Sequence, residues 1–215
     1  MAWAGMFLFA VLCVHAFVNS VAAVIAFEPE RLLASFSEQQ STAIDSQMAQ
    51  AATGTQAIGT LAISQNLSPG NTRYLENAAT IQLIAAGRSA SASGLVEAQQ
   101  TYVDILHGRP IWPYTWINFL RARAQTGSFD TAFDESLSHT FTLVSLNDEL
   151  YLKLLHLGLE YWFDISVAAR DTITQSIEQR DVSKSPDIRK MLKDLSLSDF
   201  VCASLGAQAY ERVCA

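Results

Sequence analysis

From Met1 to Phe27 the chain carries no Asp, Glu, Lys or Arg, and all 35 charged residues (14 basic, 21 acidic) come later. An α-helix needs about 20 apolar residues to cross a hydrocarbon core, and this run supplies 27, with His15, Asn19 and Ser20 as polar exceptions. It predicts a transmembrane anchor over residues 1–27. Two other readings compete. A cleaved secretory signal has a basic start and a shorter apolar stretch of roughly 7–15 residues. Here no Lys or Arg precedes the run, and apolar residues continue through Val24, Ile25 and Phe27, although Ser20-Val21-Ala22 has the small-residue character of a cleavage site. A buried core helix would carry one polar face.

Orientation rests on few charges. Positive residues near a span favour the cytoplasm; only Arg31 lies close, beside Glu28 and Glu30, and the next basic residue is Arg73. A short start followed by a large domain reads as a signal anchor. The expected location is therefore the inner (cytoplasmic) membrane, single-pass, with the C-terminal domain in the periplasm. The net charge of −7 is spread along the chain, with no block of Lys or Arg, so the footprint of a nucleic-acid binder is missing.

Residues 28–67 are rich in Ala, Gln, Ser and Thr and predict a juxtamembrane helix fading near Gly54 into a linker. Ser68-Pro69-Gly70-Asn71 is a turn signal. Beyond it, residues 68–215 predict an all-α domain. Apolar residues recur at helical spacing from Leu75 to Ile84, with Gly87 and the small-residue run after it as the end. Further helices are expected over Leu95–His107, Tyr114–Gln125, Phe129–Leu143, Asp148–Phe163 and Ala168–Glu178, and Ser185-Pro186 marks another start. No segment alternates with a period of two, so β structure should be negligible.

A repeat is suggested inside that domain. Ala98 and Ala132 lie 34 residues apart, the tetratricopeptide period. Trp116, Phe119, Leu120 and Gly127 fall where such a unit places its aromatic, its packed apolar positions and its turn glycine, and Pro110 falls at the closing proline. The small residue is expected where paired helices approach closely. A generic helix bundle is the competing reading.

Chemistry-bearing patterns are sparse. His15, His107, His139 and His156 lie at no metal-ligand spacing, and His156 with Glu160, one helical turn apart, reads as a surface contact. The chain has no phosphate loop, no Gly-x-Ser-x-Gly elbow and no His-Glu-x-x-His. No catalytic residue, metal or cofactor is expected. Cys202 and Cys214 stand twelve apart; in an oxidising compartment they can close a disulfide, and two partly buried thiols are the alternative. Along the helix from Tyr114, positions Tyr114, Asn118, Arg121 and Gln125 share one face, and Trp116, Phe119, Leu120 and Arg123 share the other. The second should pack, leaving the first to line a concave binding surface.

The strings Arg109-Pro110-Ile111-Trp112-Pro113-Tyr114-Thr115-Trp116, Gly127-Ser128-Phe129-Asp130 and Leu157-Gly158-Leu159-Glu160-Tyr161-Trp162, continuing to Ser166 and Arg170 with a late Cys202, resemble the VpsP-type proteins. These are small membrane-anchored accessory proteins of exopolysaccharide biosynthesis clusters. The likeness covers about 80 to 100 residues near the middle; where that family reads Gly-Pro-Trp, this chain has Leu146-Asn147-Asp148-Glu149. The resemblance implies a role in polysaccharide assembly or export with the domain in the periplasm, and it supplies no catalytic residues. The expected function is a non-catalytic interaction module for an envelope or polysaccharide-assembly complex. An alternative is an accessory subunit of an integral-membrane enzyme or secretion/pilus assembly, held through its anchor, with His15 and Asn19 meeting a partner helix because polar groups in a span rarely face lipid. A third reading, carbohydrate binding, would use the exposed aromatics.

Overall fold

The first helix, α1 (Ala2–Glu38), runs unbroken through the uncharged segment and past it, about 55 Å at 1.5 Å per residue. Phe9–Phe27 is long and apolar enough to cross a membrane. The structure, a computed structural model, describes residues 2–38, 58–68, 71–180 and 185–214. The expected linker is thus helical up to Glu38 and again over 58–67 (α2); its residues 39–57 lie outside the described residues, as do Pro69 and Gly70 of the expected turn. All regular elements among the described residues are helical, and they divide between two compact units, Met1–Gly108 and Arg109–Ala215.

In the first unit, α2 is followed by α3 (Thr72–Ser89) and α4 (Ala92–Gly108). The Asn71 side chain accepts the Arg73 N–H and so caps the start of α3, satisfying one donor that the first turn leaves open. Gly87 stays helical; the chain turns instead at Ala90, which takes the left-handed conformation at φ 51°. The Ser91 N–H then reaches back to the Ala86 carbonyl. Small residues let α3 and α4 close on each other: a Cβ on Gly94 would stand 2.9 Å from that of Ala86. Ala98 and Tyr102 of α4 are fully buried, and the Tyr102 hydroxyl lies 3.0 Å from Thr80 Oγ1. On the other side, Ala22 and Ala26 of α1 are buried with Leu61, Tyr74 and Ile81. One stripe of the uncharged helix is therefore a packing surface for its own chain.

The second unit contains α5 (Pro113–Gln125), α6 (Thr131–Leu143), α7 (Asp148–Glu160), α8 (Val167–Glu178), α9 (Ser185–Asp194), α10 (Ser198–Cys202) and α11 (Ala207–Val213). Neighbours pack antiparallel, with α7 touching α5, α6, α8 and α9. Its sequence explains that place. Leu150, Tyr151, Leu154, Leu155, Leu157, Gly158 and Leu159 are all buried, so the apolar surface covers most of the circumference, as a central helix requires. Each fully buried leucine contributes about 1.5–3 kcal/mol relative to exposure. Gly158 is needed for close approach: a Cβ there would sit 2.6 Å from Ile173 Cδ1 on α8. The helix ends at Glu160, three residues before the expected Phe163, and Trp162 is buried from the turn that follows.

Asp130, Asn147 and Ser166 cap α6, α7 and α8 by accepting the N–H groups of Phe133, Leu150 and Ala169. Gly127 takes the left-handed conformation, φ 69°, that the α5–α6 turn demands. Cys202 and Cys214 are joined by a disulfide. Arg189 donates to the Val213 and Arg212 carbonyls, and Arg212 donates to those of Arg180 and Glu178. The last helices are tied down through backbone oxygens and one covalent bond.

One expectation of the repeat is corrected. Ala132 is exposed, not packed between helices. Helix α6 begins at Thr131, so Ala132 lies in its first turn and the buried stripe starts at Phe133 and continues through Leu137, Thr140 and Phe141. Ala98, seven residues into α4, is buried. The two alanines occupy different places in their helices.

Candidate functional site

Helix α5 carries the first candidate surface. Pro113 opens it at a position where a missing N–H costs nothing. Trp116 Nε1 donates to the Pro110 carbonyl at 2.7 Å, folding the Arg109–Pro113 segment back on the helix. The Trp116 ring meets Phe119 and His139 edge-on. Outside this packing, the Arg109 guanidinium lies 5.6 Å from the Trp112 ring centre, and the Trp112 and Tyr114 rings are 6.0 Å apart. Ile111, Trp112 and Tyr114 are all exposed.

The two faces of α5 separate by burial. Phe119, Leu120 and Arg123 are buried and Trp116 is half-buried, whereas Tyr114, Arg121 and Gln125 are exposed and Asn118 is half-buried. Arg121 is close enough to Tyr161 for its charge to act on the phenol. Burial, and then Glu160, push the Tyr161 pKa above its ordinary value, and Arg121 opposes that rise. The Tyr161 ring packs at 5.5 Å on Phe129. This surface therefore extends from the α5 face toward the end of α7.

Two polar contacts beside it escaped the sequence reading. Arg123, only 9% exposed, donates from Nη2 to both Asp130 oxygens at 2.6 Å. Asp130 is held below the ordinary carboxylate range, first by the Phe133 N–H and also by Arg123. Ser166 donates to Asp134 Oδ2 at 2.8 Å while capping α8. An Asp or Ser three residues before the first buried position was the available signal; a partner 32 residues away leaves no such trace.

The second candidate lies in the first unit. Asn19 and His15 are one turn apart on α1, and the Asn19 side-chain amide donates to the His15 carbonyl. Ser68, at the end of α2, donates to Asn19 Oδ1 at 2.6 Å. Together with Ala23, Leu67, Asn71 and Tyr74 they line an open cleft of about 660 Å³. Asn19 thus already has a partner from its own chain.

His156 Nδ1 lies 3.9 Å from Glu160 Oε2, both side chains about half-exposed, on the surface as expected. Among the described residues no three His, Cys, Asp or Glu side chains gather closely enough to hold a metal ion. Compared with known proteins, the chain matches no family model, no curated protein and no solved structure.

Proposed function

We propose that this chain is a membrane-anchored, non-catalytic interaction module, with tetratricopeptide-like helix pairs serving a complex that makes or exports exopolysaccharide. The observation that carries the docking role is the split of α5, with an apolar face consumed by packing and an exposed polar face centred on Arg121. Arg121 offers a fork of donors suited to a carboxylate or to backbone carbonyls on a partner. The anchor role is supported by the bare apolar side chains of Phe9, Leu12, Val14 and Phe17 on α1. A periplasmic placement of the second unit is supported by the Cys202–Cys214 disulfide, which suits an oxidising compartment. The polysaccharide context is supported by the VpsP-like residues alone.

Co-purification from the native envelope tests the reading. Arg121→Ala should reduce the amount of partner recovered while leaving the helical circular-dichroism signal unchanged. A second reading, an accessory subunit held mainly through its anchor, is favoured by the extent of exposed apolar surface on α1. It takes first place if the partner is lost on replacing apolar residues of that surface, such as Phe17→Ala with Val24→Ala, and is indifferent to Arg121.

A further inference from the structure

We propose that the cleft between α1 and the α2–α3 turn binds the phosphodiester headgroup of a membrane phospholipid; this rests on the reading of α1 as an anchor. The inference begins with depth. Ser68 meets Asn19 eight residues before Phe27, about 12 Å down the axis of α1. The α2–α3 turn therefore reaches well below the end of the apolar window Phe9–Phe27. Immediately after that turn come Arg73, which is exposed, and Glu76. Charged groups are costly in hydrocarbon, so the turn cannot lie deep in the bilayer beside α1. The packing decides against the hydropathy window. The hydrocarbon edge lies near His15 and Asn19, and the segment from Ala22 to Ala26 is a packing surface above it.

That places the cleft at headgroup level, and its chemistry suits the position. His15 supplies a ring N–H and Tyr74 a hydroxyl. Asn71 keeps its amide nitrogen available because its Oδ1 is used in capping α3. The described lining has no carboxylate to repel a phosphate, and its volume lies in the range of small-molecule sites. Directly below His15, three and four residues earlier on the same helical face, Leu12 and Val11 are exposed and apolar. A polar, donor-rich cleft continuous with an apolar strip matches an amphiphile whose headgroup sits above and whose acyl chain runs down α1.

The test uses the full chain in nanodiscs of phosphatidylethanolamine and phosphatidylglycerol, released and weighed by native mass spectrometry. The wild type should retain one phospholipid. His15→Leu removes a donor at an exposed site. Asn71→Asp keeps the cap, since Asp caps as well as Asn, but replaces a donor with a negative charge. Each should lower the retained fraction about tenfold, as expected for one charge-assisted hydrogen bond. Wild-type protein that is embedded yet retains no lipid, or variants that retain as much as wild type, overturn the headgroup site and leave the anchor standing. Displacement of the lipid by inorganic phosphate or glycerol phosphate would assign the cleft to a soluble phosphate instead, and overturn it too. Release of the chain from native membranes by alkaline carbonate overturns the anchor, and this proposal with it.

Discussion

Arg123 and Asp130 meet across the turn that joins α5 to α6, the guanidinium donating from one nitrogen to both carboxylate oxygens at 2.6 Å. The pair closes a small system. Asp130 also caps α6 through the Phe133 N–H, Gly127 supplies the left-handed residue between them, and Arg123 lies 5.7 Å from the Phe119 ring centre. One exposed carboxylate thus sets the angle at which the candidate docking helix leaves its neighbour.

The carboxylate makes this turn sensitive to acid. The folded-state pKa of Asp130 is depressed from its ordinary 3.8. Its charge therefore stabilises the fold fully above that value, and the contribution is lost as pH falls through the lower folded-state value. Asp130→Asn keeps the cap and removes the charge. Melting temperatures of the two proteins should differ at pH 7 and converge on acidification below 3.8. A gap unchanged down to the acid transition would mean the ion pair contributes nothing.

The helices were legible in the sequence because apolar spacing and stop signals are local. Pro113, Gly127 and Ser185 mark boundaries through their own backbone preferences, and the split of α5 followed from 3.6-residue periodicity. The repeat register was not legible. A 34-residue interval equates Ala98 with Ala132, but α4 starts at Ala92 and α6 at Thr131, 39 residues on. Burial follows helix starts and partners, not sequence intervals. The cleft was hidden for a similar reason, since its closing contact joins Asn19 to Ser68 across 49 positions.

The corrected register gives a direct comparison. Ala98→Leu should overpack the α3–α4 contact, where the residue is fully buried, and cost about 1–3 kcal/mol. Ala132→Leu, on the exposed side of the first turn of α6, should change stability by no more than about 0.5 kcal/mol. Urea unfolding of both variants decides the matter. Equal, large losses would restore the 34-residue equivalence.

The disulfide should carry a measurable share of stability. Cys202 and Cys214 enclose a short loop that holds α10 and α11 together, and the chain-entropy model assigns a loop of this size about 3 kcal/mol. Paired Cys202→Ser and Cys214→Ser replacement should lower stability by up to that amount, most visibly in loss of hydrogen-exchange protection over α10 and α11. Mass analysis without reductant should find the two cysteine-bearing peptides linked in protein taken from its own envelope. Freely alkylated thiols would favour a reducing compartment and reverse the expected topology.

The uncharged N-terminal segment should remain attached. Its sequence offers a plausible cut beside Ala22, but in the fold Ala22 and Ala26 are 0% and 1% exposed and form part of one cluster with Leu61, Tyr74 and Ile81. Cleavage there would remove Ala22 with Asn19, strip the partner from Ser68, and leave Leu61 and Tyr74 facing water. A removable signal has no reason to make such contacts, whereas an anchor that also nucleates packing does. Intact mass measured on protein from native membranes should therefore correspond to a chain that includes Met1–Phe27, allowing for loss of the initiating methionine. Ala22→Leu should shift the melting temperature downward by overpacking that cluster, at a cost of about 1–3 kcal/mol. A mature chain beginning at Ala23 would sink both the anchor and the packing role of α1, and a thermally silent Ala22→Leu would sink the second alone.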